Sequence, residues 1–118
     1  MSDMDSEADS TEDQTEELEE KLQEIKDQEG IIGYILRSTK SASIDLKDPT
    51  KMISYALLSS TLFDTSQNMI EELKMGNMNS IIVESDETKI LAMNINNKRL
   101  SIFMEKDCNH DKLFKKLK

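Results

Sequence analysis

The sequence predicts an α+β sandwich, a five-stranded antiparallel sheet with helices on both faces, in the order α-β-β-α-β-β-β-α. Three observations carry this. Short runs of alternating apolar and polar residues occur in a group of two and a group of three, with hairpin-length links inside each group. One long helical pattern separates the groups, as a crossover requires. Shorter helical patterns stand near each end, and 118 residues leave room for one ordinary core.

The elements follow in chain order. Residues Met1 to Thr15 are Ser, Thr, Asp and Glu with almost nothing to bury, which predicts a disordered acidic tail over 1–15 and a folded domain over 16–118. Leu18, Leu22 and Ile25, spaced by four and three, predict an amphipathic helix from Thr15 to about Gln28, stopped by Gly30. Ile31 to Thr39 is apolar on both faces and reads as an inner strand, with Ala42 to Leu46 as its alternating edge partner. Asp48 and Pro49 open a long helix as N-cap and first-turn proline, with no breaker before Gly76.

At 100° per residue the apolar positions of that helix span roughly 160°, wider than the ~100° needed to lie on one surface, so two partners are expected. They are Met52, Tyr55, Ala56, Leu58, Leu62, Phe63, Met69, Ile70 and Leu73. Ser59 and Ser66 interrupt the stripe with small side chains where a second backbone fits closely. Met52, Met69, Met75 and Met78 suit either an adaptable surface or core filling. Ser80 to Ser85, Lys89 to Ile95 and Arg99 to Glu105 then form a meander divided at Asp86-Glu87 and Asn96-Asn97. A last helix carries Leu113, Phe114 and Leu117 behind an Asn109 N-cap.

Charge is unevenly placed. Residues 1–29 hold 13 acids against Lys21 and Lys26, a net −11, while residues 30–118 hold 13 bases and 11 acids. The overall −9 disfavours nucleic acid, whose binding needs clustered cations facing phosphate. The longest apolar run, Ile31 to Leu36, is far short of the ~20 residues of a membrane helix. The acidic start lacks the basic and apolar regions of an export signal. A lone Cys108 provides no disulfide framework and suits a reducing compartment, so a cytoplasmic protein is expected.

Chemistry-bearing groups are sparse. Cys108 and His110 adjoin, but a zinc site needs three or four ligands and no further His or Cys exists, so no metal is expected. Glu84, Asp86 and Glu87 lie at a hairpin, where carboxylates are solvated. Three glycines assemble no phosphate loop or dinucleotide fingerprint. The reading is of a non-enzyme without cofactor, catalytic residues or metal. The overwide helix stripe and an apolar third strand with an open edge point to self-association. The expected interface is Ser80, Ile81, Ile82, Val83 and Glu84 together with Tyr55, Leu58, Ser59, Leu62, Ser66 and Met69.

The order of elements and the residues within them resemble the Roadblock family of dynein light chains and GTPase regulators, over about Glu16 to Leu117. The resemblance rests on Glu29-Gly30-Ile31-Ile32-Gly33-Tyr34-Ile35-Leu36 after an acidic helix, and on Ile70-Glu71-Glu72-Leu73-Lys74-Met75-Gly76 closing the long helix. Ser80-Ile81-Ile82-Val83-Glu84 and Glu105-Lys106-Asp107-Cys108-Asn109 complete it. Two features depart: Thr39-Lys40-Ser41 stands where the family commonly turns through an Asp-Gly type pair, and His110-Asp111 where a Gly often follows the loop Asn. The resemblance implies a dimer, with itself or a paralogous Roadblock subunit, in which third strands pair edge to edge and long helices pack together. It also implies binding to a small Ras-like GTPase, or scaffolding, with no catalytic residue supplied. A competing reading is a small sensory or ligand-binding domain on a profilin- or PAS-like sandwich, which requires a cavity with converging polar groups.

Overall fold

The computed structural model describes residues 16–117, so the expected tail over 1–15 lies outside the described residues. Two compact units are present, residues 16–29 with 109–117 forming one and Gly30–Cys108 the other. In the first, helix α1 (residues 16–26) buries Leu18, Leu22 and Ile25 at the predicted spacing. Its companion α3 (His110–Leu117) buries Leu113 and Leu117. Asn109 caps α3 by accepting the Lys112 amide at 3.1 Å, and Lys115 and Lys116 stand at the negative end of the helix dipole.

The second unit is a five-stranded antiparallel sheet, β1 (Ile31–Arg37), β2 (Ala42–Leu46), β3 (Ser80–Glu84), β4 (Thr88–Ile95) and β5 (Lys98–Glu105), in spatial order β2-β1-β5-β4-β3. Helix α2 (Met52–Glu72) connects β2 to β3. The predicted α+β architecture is therefore the observed one. Asn96 and Asn97 both take positive φ, 50° and 61°, the mirror-image turn that matches strand twist in a two-residue hairpin. β1 stops at Arg37, two residues before the predicted end, because Ser38 opens the turn into β2. The Ser38 amide donates to the Ser41 carbonyl at 2.8 Å, and the Ser38 hydroxyl accepts the Ser41 amide at 3.1 Å. Side-chain hydrogen bonding thus replaces a glycine turn.

Gly33 sits where β1 shifts register against β5. A Cβ there would lie 2.4 Å from the Asp45 carbonyl oxygen, which a backbone atom of β2 cannot vacate cheaply. Asp48 accepts the Thr50 amide and hydroxyl and so opens a 3-10 turn, Pro49–Lys51, that leads into α2. These bonds hold the Asp48 carboxyl below its usual range. At the other end the expected stop at Gly76 is replaced by an earlier one. Lys74 adopts φ 54°, its amide donates to Glu71 at 3.2 Å and the Met75 amide to Ile70 at 3.0 Å. That pairing closes a helix through a left-handed residue, normally glycine.

One face of the sheet carries α2. Phe63, Ile70, Met78 and Ala92 form one cluster, and Ile35, Leu46 and Phe103 another. Tyr55 stacks on Phe103 with ring centroids 4.5 Å apart. Between the clusters the buried hydroxyls of Ser59 and Ser101 share a hydrogen bond of 2.6 Å. The opposite face, with Tyr34, Leu36, Leu91, Leu100, Ile102 and Met104, is buried as well.

Two stability outcomes follow from these contacts. Gly33→Ala should cost ~3 kcal/mol, the upper range for overpacking, read as a lower urea midpoint; an unchanged midpoint contradicts the close approach. Ser59→Ala should cost ~1–3 kcal/mol by stranding the Ser101 hydroxyl, and Ser59→Ala with Ser101→Ala should cost less than the two single changes added together. Strict additivity would show that the hydroxyls do not interact.

Candidate functional site

An α-helix laid on a sheet has one inward line and two flanks. In α2 the inward line is Ser59, Phe63, Ser66 and Ile70, all buried. The turn of 100° per residue then sends Leu58, Leu62, Met69 and Leu73 to one flank and Ile53 and Leu57 to the other. Leu58 is 52% exposed, Met69 53% and Leu73 64%. Leu62 is half-buried against the cluster that also receives Ile81 of β3, so this flank adjoins the β3 edge. Val83 on the same side of β3 is 41% exposed. The flank and strand together make an apolar surface beside an open edge.

Of the residues expected at an interface, Leu58, Met69, Ser80, Val83 and Glu84 are exposed and Leu62, Ile81 and Ile82 half-buried. Three occupy a different position from the one expected. Ser59 and Ser66 face the chain's own sheet, where the second backbone they admit is β5 in the case of Ser59, and half-buried Tyr55 stacks inward on Phe103. Leu73, exposed on the same flank, belongs with Leu58 and Met69. Its apolar character placed it in the stripe, but nothing local in sequence distinguishes outward from inward positions on a broad stripe.

The backbone of β3 divides cleanly. Ser85 donates to the Thr88 carbonyl at 2.8 Å and Asn94 to the Asn79 carbonyl at 3.3 Å, so 79, 81, 83 and 85 bond toward β4. The amides and carbonyls of Ser80, Ile82 and Glu84 face outward. β3 is an edge strand, so these groups meet no neighbouring strand of the sheet.

Cys108 follows β5 and His110 opens α3, so neither belongs to the α2 flank or to β3. Cys108 is half-buried, and burial pushes its thiol above the usual range, opposite to the shift that activates a nucleophile. His110 Nε2 lies 3.7 Å from exposed Asp111. Among the described residues no three His, Cys, Asp or Glu gather as a metal site, and no helix is long and apolar enough to cross a membrane.

No family model matches the sequence, and no curated protein matches it. Among solved structures the chain is similar to the crystal structure of a Roadblock/LC7 domain from Streptomyces avermitilis, with a TM-score of 0.63. The match covers 75% of this chain and 77% of that one at 16% identity, so the likeness is one of fold. The fold expected from the sequence resemblance is thereby found.

Native Cys108 should react with iodoacetamide at pH 8 several-fold more slowly than the urea-unfolded chain, because burial holds the thiol neutral. Equal rates would contradict that environment.

Proposed function

We propose that this chain is a small Roadblock-type interaction module of the cytoplasm, dimeric and non-catalytic, that binds and regulates or scaffolds a small Ras-like GTPase. The observation that carries it is the joined surface of the α2 flank and β3. Leu58, Met69 and Leu73 are each more than half exposed beside half-exposed Val83, at a strand edge whose outward backbone groups invite another strand. A second copy related by a two-fold axis satisfies both needs at once, pairing β3 with β3 and packing α2 on α2. The Roadblock/LC7 fold supports this arrangement, and among the described residues the upward shift of the Cys108 thiol and the scatter of possible ligands support a role through binding. The clusters under α2 are apolar and aromatic, and the buried Ser59 and Ser101 hydroxyls bond to each other and do not converge on a cavity, which favours an interaction module over a ligand-holding sensory domain.

Register decides which variants test the dimer. Ile82→Pro removes an outward N–H and spares the β3–β4 ladder, whereas Val83→Pro would break that ladder. Leu58→Glu places a charge on the flank, costing ~3 kcal/mol or more if buried unpaired, equivalent to at least about a hundredfold in dimer dissociation. Sedimentation equilibrium should find wild type dimeric at tens of micromolar, and each variant folded but monomeric. A monomeric wild type would remove the homodimer and leave pairing with a paralogous subunit. The partner is tested by affinity capture from the native lysate with mass spectrometry, repeated with GDP and with a non-hydrolysable GTP analogue. A small GTPase retained preferentially with one nucleotide is the expected result. Recovery of no nucleotide-binding protein would refute that part.

A further inference from the structure

We infer that the β2 edge and the groove beside it form a docking site for an extended peptide segment of another protein, added as a sixth strand, with alternate apolar residues and a carboxylate near one end. This site lies on the opposite sheet edge from β3 and does not rest on the dimer.

The backbone is the first argument. Ser38 donates to Ser41 at 2.8 Å and Lys47 to Ile32 at 2.9 Å, which places 41, 43, 45 and 47 in the ladder toward β1. The amides and carbonyls of Ala42, Ile44 and Leu46 consequently face away from the sheet. In register, Ala42 and Ile44 pair with Arg37 and Ile35, and their side chains stand on the α2 side. The same residues therefore offer outward backbone groups and line the adjoining concavity. That concavity is a groove of about 330 Å³, walled by Ile35, Ala42, Ile44, Ile53, Ala56 and Leu57. Ile53 and Leu57 are 76% and 65% exposed, a flank of α2 that the sheet leaves uncovered.

Charge selects the occupant. Arg37 lines the groove and also a second concavity of about 260 Å³, shared with Ser38, Thr39, Asn97 and Arg99. Arg99 lies 3.2 Å from the Asp64 carboxylate and over the Phe63 ring, so its charge is already opposed. Arg37 donates to the Ser60 hydroxyl at 2.6 Å, a neutral partner, and its guanidinium has further N–H groups in a fork that fits a carboxylate. An extended segment meets all three features together. Its backbone bonds the edge, every second side chain falls over the groove, and an acidic residue reaches Arg37. A bound helix would leave the outward amides unused, and an apolar ligand without charge would leave Arg37 unanswered.

The test selects dodecapeptides from a random phage-displayed library on the full chain, then measures the synthesised peptides by fluorescence anisotropy and by amide shifts. Enriched sequences should alternate apolar residues and carry Asp or Glu, and should shift the amides of Ala42, Ile44 and Leu46. Ala42→Pro, which deletes an outward N–H and keeps the β1 ladder, should weaken binding at least tenfold while thermal melting shows the fold intact. Arg37→Gln should weaken the acidic peptide at least tenfold and its Asn or Gln version little. No enrichment, enrichment of helical patterns, shifts confined to β3, or binding unchanged by Ala42→Pro would each overturn the proposal. So would dodecanoate displacing no peptide yet filling the groove, or a change of oligomeric state on Ala42→Pro, which would assign the edge to a second copy.

Discussion

The hydrogen bond between Ser59 and Ser101 sets the rotation of α2 about its own axis. β5 is the middle strand of the sheet, so a hydroxyl pair 2.6 Å apart brings the helix backbone close over the centre. A larger side chain at either position would lift the helix away. With Ser59 fixed inward, helix periodicity sends Phe63, Ser66 and Ile70 to the sheet and leaves Leu58, Met69 and Leu73 on one side, Ile53 and Leu57 on the other. Both exposed apolar surfaces are therefore consequences of where two small residues meet. A buried hydroxyl pair also confers directionality that aliphatic contacts lack, since sliding the helix by one turn would strand both groups.

The two sheet faces and the two sheet edges face different demands. Both faces carry buried side chains, among them Ile35 and Phe103 on one and Leu91, Leu100 and Ile102 on the other. The edges and helix flanks are where outward-facing backbone and exposed apolar surface accumulate. They are also chemically distinct. β3 lies beside a flank of Leu and Met, while β2 lies beside a groove that ends at a cation. One sheet thus leaves two chemically distinct exposed surfaces at its edges without either intruding on the core.

Much of the sheet was legible in the sequence, because alternation depends on neighbours two residues apart. β2 matches its predicted bounds, and β3, β4 and β5 differ by one residue at an end. Asp48-Pro49 and Asn96-Asn97 announced a helix start and a hairpin through local geometry alone. The end of α2 was not legible, since the left-handed position is taken by Lys74, which has no special tolerance for it, and not by Gly76. Nor was the inward direction of Ser59 and Ser66, because a serine on a broad apolar stripe is equally compatible with either side. Arg37, Ile44 and Leu57 converge only once the chain is folded, and no spacing in sequence signals that meeting.

The presence of complementary open edges at opposite ends of one sheet has a consequence in terms of symmetry. A β3-to-β3 contact uses the same patch on both copies and closes after two. A β2-to-β3 contact would be head-to-tail, and unless its rotation closed a ring it would propagate as a filament. Two features oppose that outcome. β2 offers only five residues, and Glu84 stands at the end of β3, shortening the stretch on which a foreign strand could settle. The net charge of −9 adds mutual repulsion between associating copies, a force that weakens as salt rises. Any such head-to-tail association would therefore strengthen as ionic strength rises.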